Sequence, residues 1–286
     1  MSAGKLTAIY RYPVKSMIGE NVEATALGEK GLPGDRAWAI RDEVRGGIQG
    51  AKKIPALMQC ASRYLEEPGA GDAPAPEITL PDGAVLSAAD ADAAVRIGEA
   101  VGREVTLWPI VPAETLDHYR RSPPDDEDFE KELRAVFGRT PEEPLPDLAK
   151  FPPEIFEYES PPGTYFDAFP LLVLSTRSLA TLQDAAPNSK IDVRRFRPNL
   201  LVDATSDECF PELAWIGKRV KIGEAVLSIA MECPRCVMTT LGFADLPKDP
   251  GVMRKLVEAA DGNLGVYASV ETAGTVRTGD PIQVLD

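Results

Sequence analysis

Short runs of strand length, separated by turn residues, constrain the fold of this sequence more than any other feature. The runs are rich in aliphatic, β-branched and aromatic residues and occupy positions 6–10, 37–40, 77–80, 84–86, 169–174, 200–202, 219–222, 225–230, 266–270 and 282–285. Many short strands with few helical segments between them are typical of a barrel. We therefore expect a mixed α/β but strongly β-rich fold with peripheral helices.

Turn signals connect several of these runs. Asp82-Gly83 separates residues 77–80 from residues 84–86, and Gly223 separates residues 219–222 from residues 225–230. Asp-Gly and other glycine-containing turns tolerate the positive φ angles that tight reversals need. Each of these two segments predicts a β-hairpin.

Four segments have the spacing or the end signals of helices. They are residues 88–101, ended by Gly102; residues 129–137, which follow the acidic run 125–128 and end at Gly138; the stretch after Ser175, which that serine would cap; and the stretch from Gly251 to Gly262. Hydroxyl or acidic residues at a helix start and glycine at its end satisfy backbone groups that the helix leaves unpaired. The acidic run is interpreted as a solvated helix start.

A proline-rich segment divides the chain. Between residues 122 and 162 there are nine prolines outside any strand-like run. Because proline cannot donate to a sheet ladder, this density indicates a connecting stretch with one helix. We predict a β-rich N-terminal unit over residues 1–120, the connecting segment over residues 121–162, and a second unit over residues 163–286.

Charge and cysteine usage exclude several classes of protein. The chain has 286 residues and a formal net charge of −14, from 45 acidic and 31 basic side chains. Duplex nucleic acid and anionic membranes would be repelled at long range. With no apolar run of about 18 residues and no signal-like N-terminus, a cytoplasmic protein with reduced thiols is expected.

The closest pair of cysteines is Cys233-Pro234-Arg235-Cys236. This spacing is found in half of a structural zinc site, in a dithiol redox centre, and in pairs of packed thiols. A structural zinc site would need a matching second pair of ligands, which the sequence does not offer. A dithiol redox centre would need its first cysteine at the start of a helix, whereas the strand-like segment 225–230 leads into this motif. Arg235 would favour the thiolate of Cys236, which is the form that binds soft metals and attacks electrophiles.

Basic and hydroxyl residues elsewhere offer an anion site on this acidic chain. Candidates are Lys15 and Ser16 after a strand, Arg36 after a turn, Ser175 and Thr176 at a helix start, and Arg194, Arg195 and Arg197 before Asn199. Arginine binds phosphate in a bidentate manner, and a helix start offers free N–H groups. Each residue taken alone is equally consistent with a surface charge, a helix cap or an ion pair.

Four ordered segments together resemble a known family. They are residues 10–16 (YRYPVKS), 31–38 (GLPGDRAW), 196–199 (FRPN) and 233–240 (CPRCVMTT). The chain is similar to MOSC proteins that carry a MOSC N-terminal β-barrel domain, a family that includes the C-terminal domain of molybdenum cofactor sulfurase and the mitochondrial amidoxime-reducing component. The resemblance implies a MOSC β-barrel domain preceded by a β-barrel-like domain with peripheral helices.

The resemblance also implies a site for the molybdenum cofactor, a molybdenum–molybdopterin. Cys236 corresponds to the cysteine that ligates the metal in relatives and is the expected catalytic residue. The positions that match cofactor-holding residues are Lys15, Ser16, Arg36, Ser175, Thr176, Arg197 and Asn199, with backbone contact from Pro234 or Arg235. Pro234 stands where some relatives have a serine, so a hydroxyl contact is lost there.

The implied activity is an oxidoreductase that removes oxygen from small N-hydroxylated substrates while the metal shuttles between Mo(IV) and Mo(VI). The sequence lacks the cysteine run of an iron–sulfur cluster, so a separate ferredoxin or reductase is expected as electron donor. One alternative is a sulfur carrier or cofactor-handling protein that uses a Cys236 persulfide. A second is a binding protein that has lost the cofactor.

Overall fold

The computed structural model describes residues 3–69, 74–124 and 126–285. The strands are β1 (Gly4–Arg11), β2 (Glu20–Val22), β3 (Ala24–Leu27), β4 (Trp38–Asp42), β5 (Gly47–Gln49), β6 (Ala61–Arg63), β7 (Glu77–Thr79), β8 (Val85–Ser87), β9 (Val105–Pro109), β10 (Leu171–Ser175), β11 (Leu200–Ala204), β12 (Arg219–Ile222), β13 (Ala225–Pro234), β14 (Asn263–Thr272), β15 (Gly274–Arg277) and β16 (Pro281–Leu285). The α-helices are α1 (Ala93–Val101), α2 (Leu116–Tyr119), α3 (Phe129–Phe137), α4 (Thr176–Ala185), α5 (Val193–Phe196) and α6 (Gly251–Ala260). This composition confirms the predicted β-rich mixed fold.

Seven strands close into a barrel. Their order is β11-β10-β14-β13-β12-β16-β1, and a further pairing of β1 with β11 completes the ring. The pairing of β10 with β11 is parallel, whereas the other pairings in the ring are antiparallel. Closure pairs the backbone groups along both edges of each of these strands. The ring encloses a core of aliphatic side chains that includes Leu6, Val173, Val202, Val266 and Ile282.

The first strand of the chain completes this barrel. Leu6 of β1 pairs with Val202 of β11, and Gly4 pairs with Ile282 of β16. Strand β1 therefore joins two strands from the last third of the chain, although it belongs to the predicted N-terminal unit. The predicted unit boundaries at residues 120 and 162 remain predictions.

A second core lies between the remaining sheets. Strands β5-β4-β9 and β6-β7-β8 form two three-stranded sheets, and α1 packs near them. Buried side chains of this core include Ile40, Ile78 and Ile97, together with Met238 and Leu241 from beyond the cysteine motif. The residues that follow Cys236 therefore anchor in a core that the N-terminal half builds, which places the cysteine motif between the two cores.

The end signals read from the sequence set the helix limits. Asp128 caps α3 by accepting hydrogen bonds from two backbone N–H groups, and Gly138 ends it in the left-handed conformation. Ser175 caps α4 with its side-chain oxygen. The hairpin of β7 and β8 and the hairpin of β12 and β13 also form as predicted. Among the described residues, no helix is long and apolar enough to cross a membrane.

Barrel closure gives a prediction for stability. Leu6 is fully buried in the barrel, while its neighbour Lys5 points outward. Replacing Leu6 with alanine removes apolar contacts and leaves a cavity, so the free energy of unfolding should fall by about 2–5 kcal/mol. Lys5→Ala should change it by less than about 0.5 kcal/mol in the same urea titration. Equal effects of the two substitutions would contradict this account of the closure.

Candidate active site

One pocket collects most of the residues that the sequence singled out. Its lining is formed by Lys15, Ser16, Arg36, Asp167, Ala168, Phe169, Leu172, Arg195, Phe196, Arg197, Asn199, Arg235, Cys236, Met238 and Tyr267. We call it the Cys236 pocket. Its described residues include five basic side chains and one carboxylate, although the whole chain is acidic. The arrangement favours an anionic ligand.

Three of the residues predicted to hold the cofactor, Ser175, Thr176 and Pro234, lie outside this lining. The candidate Arg194 also lies outside it and pairs instead with Asp192 and Asp245. Ser175 is fully buried and caps α4, and Thr176 follows it at the helix start. The pocket instead contacts Leu172 and the residues just before β10. Ser175 follows Leu172 by three strand positions, roughly 10 Å. Pro234 is buried at the end of β13, and the contribution of these three residues to cofactor binding remains a prediction.

Unusual backbone conformations cluster at the pocket. Of the five non-glycine residues with positive φ in the described chain, Ser16, Arg36 and Arg197 line it. Such residues occupy a sparsely populated region that costs free energy unless the surroundings hold it. Here the surrounding contacts are specific: Ser16 Oγ accepts a hydrogen bond from the N–H of Ala51, at 2.9 Å.

The guanidinium groups of Arg36 and Arg197 both pack over the ring of Tyr12. Their central carbons lie 4.9 and 4.1 Å from the ring centroid. Tyr12 is buried, and its hydroxyl donates to the carbonyl of Pro198 at 3.0 Å. Cation–π contact stabilises positive charge that has been removed from water. Tyr12 therefore holds two like charges at one wall of the pocket.

Arg197 carries an unpaired buried nitrogen. Its Nη1 donates to the carbonyl of Met17 at 2.6 Å, but its Nη2 has no hydrogen-bond partner in the described structure. Burial, reinforced by the nearby charge of Arg36, lowers the pKa of Arg197 to about 10. A buried cation with a free donor is costly to leave unsatisfied. An anionic ligand at this point would relieve that cost.

Asn199 ties the neighbouring segments together. Its amide nitrogen donates to Asp35 Oδ2 at 3.0 Å, and its amide oxygen accepts from the N–H of Leu172 at 3.2 Å. Asp35 also accepts from the N–H of Tyr12 and pairs with Arg36. Asn199 and Asp35 thus fix the relative positions of the loop after β1, the turn of Arg36 and strand β10.

Lys15 shares one carboxylate with Lys52. Its ammonium donates to Asp167 Oδ1 at 2.7 Å, to the carbonyl of Tyr165 at 2.8 Å and to Ser160 Oγ at 3.2 Å. The ammonium of Lys52 lies 3.1 Å from the second oxygen, Asp167 Oδ2. Burial lowers the pKa of Lys15, whereas the two lysines hold the pKa of Asp167 well below its usual range against the effect of burial. Asp167 therefore stays ionised.

The cysteine motif presents one thiol to the pocket. Cys236 is partly exposed, whereas Cys233 is buried behind it. The guanidinium of Arg235 donates to Cys233 Sγ at 2.9 Å and to the carbonyl of Phe196. We expected Arg235 to act on Cys236, but its hydrogen bond to a thiol goes to Cys233. Arg235 therefore anchors the motif from behind.

A residue of the proline-rich segment supports the same motif. The carbonyl of Gly262 accepts from the N–H of Arg235 at 2.8 Å and from Arg139 Nη2 at 3.4 Å. Gly262 has a φ of +79°, and a Cβ there would lie 1.9 Å from Arg139 Nη2. A glycine at this position therefore allows both the positive φ and the close approach of the Arg139 guanidinium. The segment 122–162 thus packs against the cysteine motif rather than only linking two units.

Sequence reasoning missed several residues of the site. Asp167 and Phe169 come just before β10, and Tyr267 reaches the pocket because β14 pairs Tyr267 with Leu172. The rings of Phe169 and Tyr267 stack with centroids 5.1 Å apart. An acidic residue next to a buried strand was a detectable signal for Asp167. Tyr267 had no such signal, because its position depends on strand register.

The unpaired nitrogen of Arg197 predicts an anion effect on stability. Inorganic phosphate at ten times its Kd should stabilise the protein by about 1.4 kcal/mol, measured as a rise in Tm. Arg197→Met should remove most of this rise. Arg219→Met, on the half-exposed outer face of β12, is the matched control and should retain it. An identical phosphate response in all three proteins would place the anion elsewhere.

Comparison with known proteins identifies two domains in the chain. The family model described as the MOSC N-terminal beta barrel domain matches residues 3–97, and that of the MOSC domain matches residues 161–283. Mitochondrial amidoxime reducing component 2 is 29% identical in Bos taurus, over 98% of this chain and 82% of the relative, and 29% identical in Homo sapiens, over 98% and 83%.

Among solved structures, the YUAD protein from Bacillus subtilis is 13% identical, with a TM-score of 0.44 over 98% of this chain and 94% of that chain. Both domain matches follow the order of the motifs in the sequence. The chain belongs to the MOSC family, in the form that carries a MOSC N-terminal β-barrel domain ahead of the MOSC domain.

Proposed function

We propose that this protein is a molybdenum-cofactor-dependent reductase of small N-hydroxylated compounds. The observation that carries the proposal is a partly exposed thiol, Cys236, in a pocket lined by five basic side chains. The similarity to amidoxime reducing components over nearly the whole chain supports the reaction class.

The donor set of the Cys236 pocket fits such a cofactor. A thiolate is a suitable ligand for a soft metal centre. The buried Nη2 of Arg197, which has no hydrogen-bond partner in the described structure, offers a free donor to a ligand. A pterin that carries a phosphate is anionic, and guanidinium groups bind phosphate with charge-assisted hydrogen bonds.

Each of these residues would have a role that follows from the chemistry of its side chain. Cys236 would ligate the metal, while Arg197 and Arg36 would hold the anionic part of the cofactor beside Tyr12. Lys15 and Asp167 form a fixed ion pair at the pocket and would orient the loop after β1. When bound, the cofactor supplies two-electron removal of an oxygen atom from the substrate.

The reaction needs electrons and protons in balance. One N-hydroxylated molecule, two electrons and two protons give one deoxygenated amine-type product and one water. The ammonium groups of Lys15 and Lys52 carry protons at the edge of the pocket, where both pair with the ionised carboxylate of Asp167. No group of three or more histidine, cysteine or acidic residues in the described ranges is arranged to hold a further metal. The proposal includes a separate ferredoxin or reductase as the source of the two electrons.

The alternative function is a sulfur carrier in which Cys236 bears a persulfide. The exposed thiol beside a cationic pocket suits that role as well. A carrier need not turn over an N-hydroxylated substrate, whereas a reductase must. Elemental analysis for molybdenum together with a substrate assay separates the two functions. The cytoplasmic location remains a prediction that cell fractionation tests.

Removal of the thiol at position 236 tests the reductase proposal. Protein from a host that makes the cofactor should contain molybdenum and should reduce an N-hydroxylated compound when electrons are supplied. Cys236→Ala should lower kcat at least 100-fold, because the metal loses its protein ligand. The matched control is Cys209→Ala, which changes an exposed cysteine outside the pocket and should retain full activity. Full activity of Cys236→Ala with cofactor bound would reject the assignment.

The need for a separate donor is tested with the purified wild-type protein. Mixed with substrate alone, it should form less than one product molecule per protein molecule. Addition of dithionite-reduced methyl viologen should start multiple turnovers. Product formation above this limit without any added reductant, or an iron–sulfur absorption band in the purified chain, would contradict the prediction.

A further inference from the structure

A second cavity lies beside α3, and the ion pair of Lys52 with Asp167 connects its wall to the wall of the Cys236 pocket. It has a volume of about 310 Å³, compared with about 80 Å³ for the Cys236 pocket. Its walls carry Lys52, Lys53 and Glu132, and Ala135 and Val136 of α3 supply an apolar strip. We call it the α3 cavity. Its volume is in the range that binds small organic molecules.

Lys52 marks the junction of the two cavities. It lines the α3 cavity, and its ammonium pairs with Asp167, which lines the Cys236 pocket. Although burial opposes it, the carboxylate of Asp167 beside the ammonium holds the pKa of Lys52 above its ordinary value. The ammonium is therefore a permanent hydrogen-bond donor at the point where the α3 cavity meets the Asp167 wall of the Cys236 pocket.

The wall of the α3 cavity is attached to the cysteine motif. Gly138 ends α3, and a Cβ at that position would lie 3.5 Å from the Cα of Val237, the residue after Cys236. The short 3-10 helix that begins there, Val237–Thr240, packs into the N-terminal core. Helix α3 and Cys236 therefore have a fixed relative position.

The other charges around the α3 cavity are paired. Lys53 contacts Glu132, and Lys131 lies 2.5 Å from Asp126. The charge at the junction, in contrast, is positive, because Asp167 is shared between Lys52 and Lys15. A ligand group that carries its own positive charge would be repelled there, while an uncharged oxygen would be accepted as a hydrogen-bond partner.

We propose that the α3 cavity binds the body of the N-hydroxylated substrate and that Lys52 donates a hydrogen bond to the oxygen of its N–O group at the junction. This inference rests on the proposed function. The substrates selected are compounds with a compact, largely apolar body and an N–O group that is uncharged at neutral pH. Lys52 positions the substrate and takes no part in bond breaking.

Filling the cavity tests the location of the substrate. Ala135 is exposed on α3, so Ala135→Trp occupies the cavity without disturbing a core. We expect KM for benzhydroxamic acid, which has an aromatic body, to rise at least 10-fold. KM for N-methylhydroxylamine and the molybdenum content should stay within twofold of wild type. Ala180→Trp, at an exposed alanine of α4, is the matched control and should change neither constant.

Substitution of Lys52 tests the junction. Lys52→Met should raise KM for benzhydroxamic acid at least 5-fold at unchanged molybdenum content, and Lys52→Arg should restore most of the loss. A purely structural role of Lys52 would instead lower the molybdenum content or fail to distinguish the two variants.

The outcomes separate the two proposals. If the wild-type protein contains no molybdenum and reduces neither substrate, the proposed function fails and this inference fails with it. If the wild-type protein is active but Ala135→Trp leaves both KM values unchanged or raises them equally, the α3 cavity is not the substrate site, and only the inference is overturned.

Discussion

Burial of positive charge is the constraint on which the site depends. Lys15, Arg197 and Arg235 are all largely removed from solvent, and an unpaired buried charge is far too costly to keep. The protein offsets this cost with the carboxylates of Asp35 and Asp167, with backbone carbonyls and with the ring of Tyr12. Arg197 remains incompletely compensated. Because part of the positive charge at the site is not neutralised by the protein, the site favours binding of an anion. Binding of that anion adds to the stability of the fold.

The compensating groups come from distant parts of the chain. Lys15 lies after the first strand, Asp167 lies before β10, and Arg197 follows the short helix α5. The barrel register brings them together, because β1 pairs with β11 and β10 also pairs with β11. The same barrel residues therefore support both stability and the electrostatics of the pocket. Substitutions deep in the barrel are expected to affect ligand binding as well as folding.

Local features of the structure were accessible from the sequence, because their causes are local. Asp128 and Gly138 limit α3, and Ser175 starts α4, through backbone groups within a few residues. Cys236 and Arg197 could be selected as site residues from the sequence motifs alone. Tyr267 and Lys52 were not accessible, because strand register and the packing of separate loops position them. Ser175 illustrates the difference, since its cap was predicted correctly while its distance from the pocket depended on which end of β10 faces the ligand.

The position of β1 in the barrel has a consequence for synthesis on the ribosome. Strand β1 leaves the exit tunnel early, but its partners in the ring, β11 and β16, both belong to the last third of the chain. Until then, a nascent chain exposes an apolar strand with unpaired edges, which is a hazard for aggregation. Such long-range pairing also slows folding. The barrel can therefore close only after most of the chain has been made.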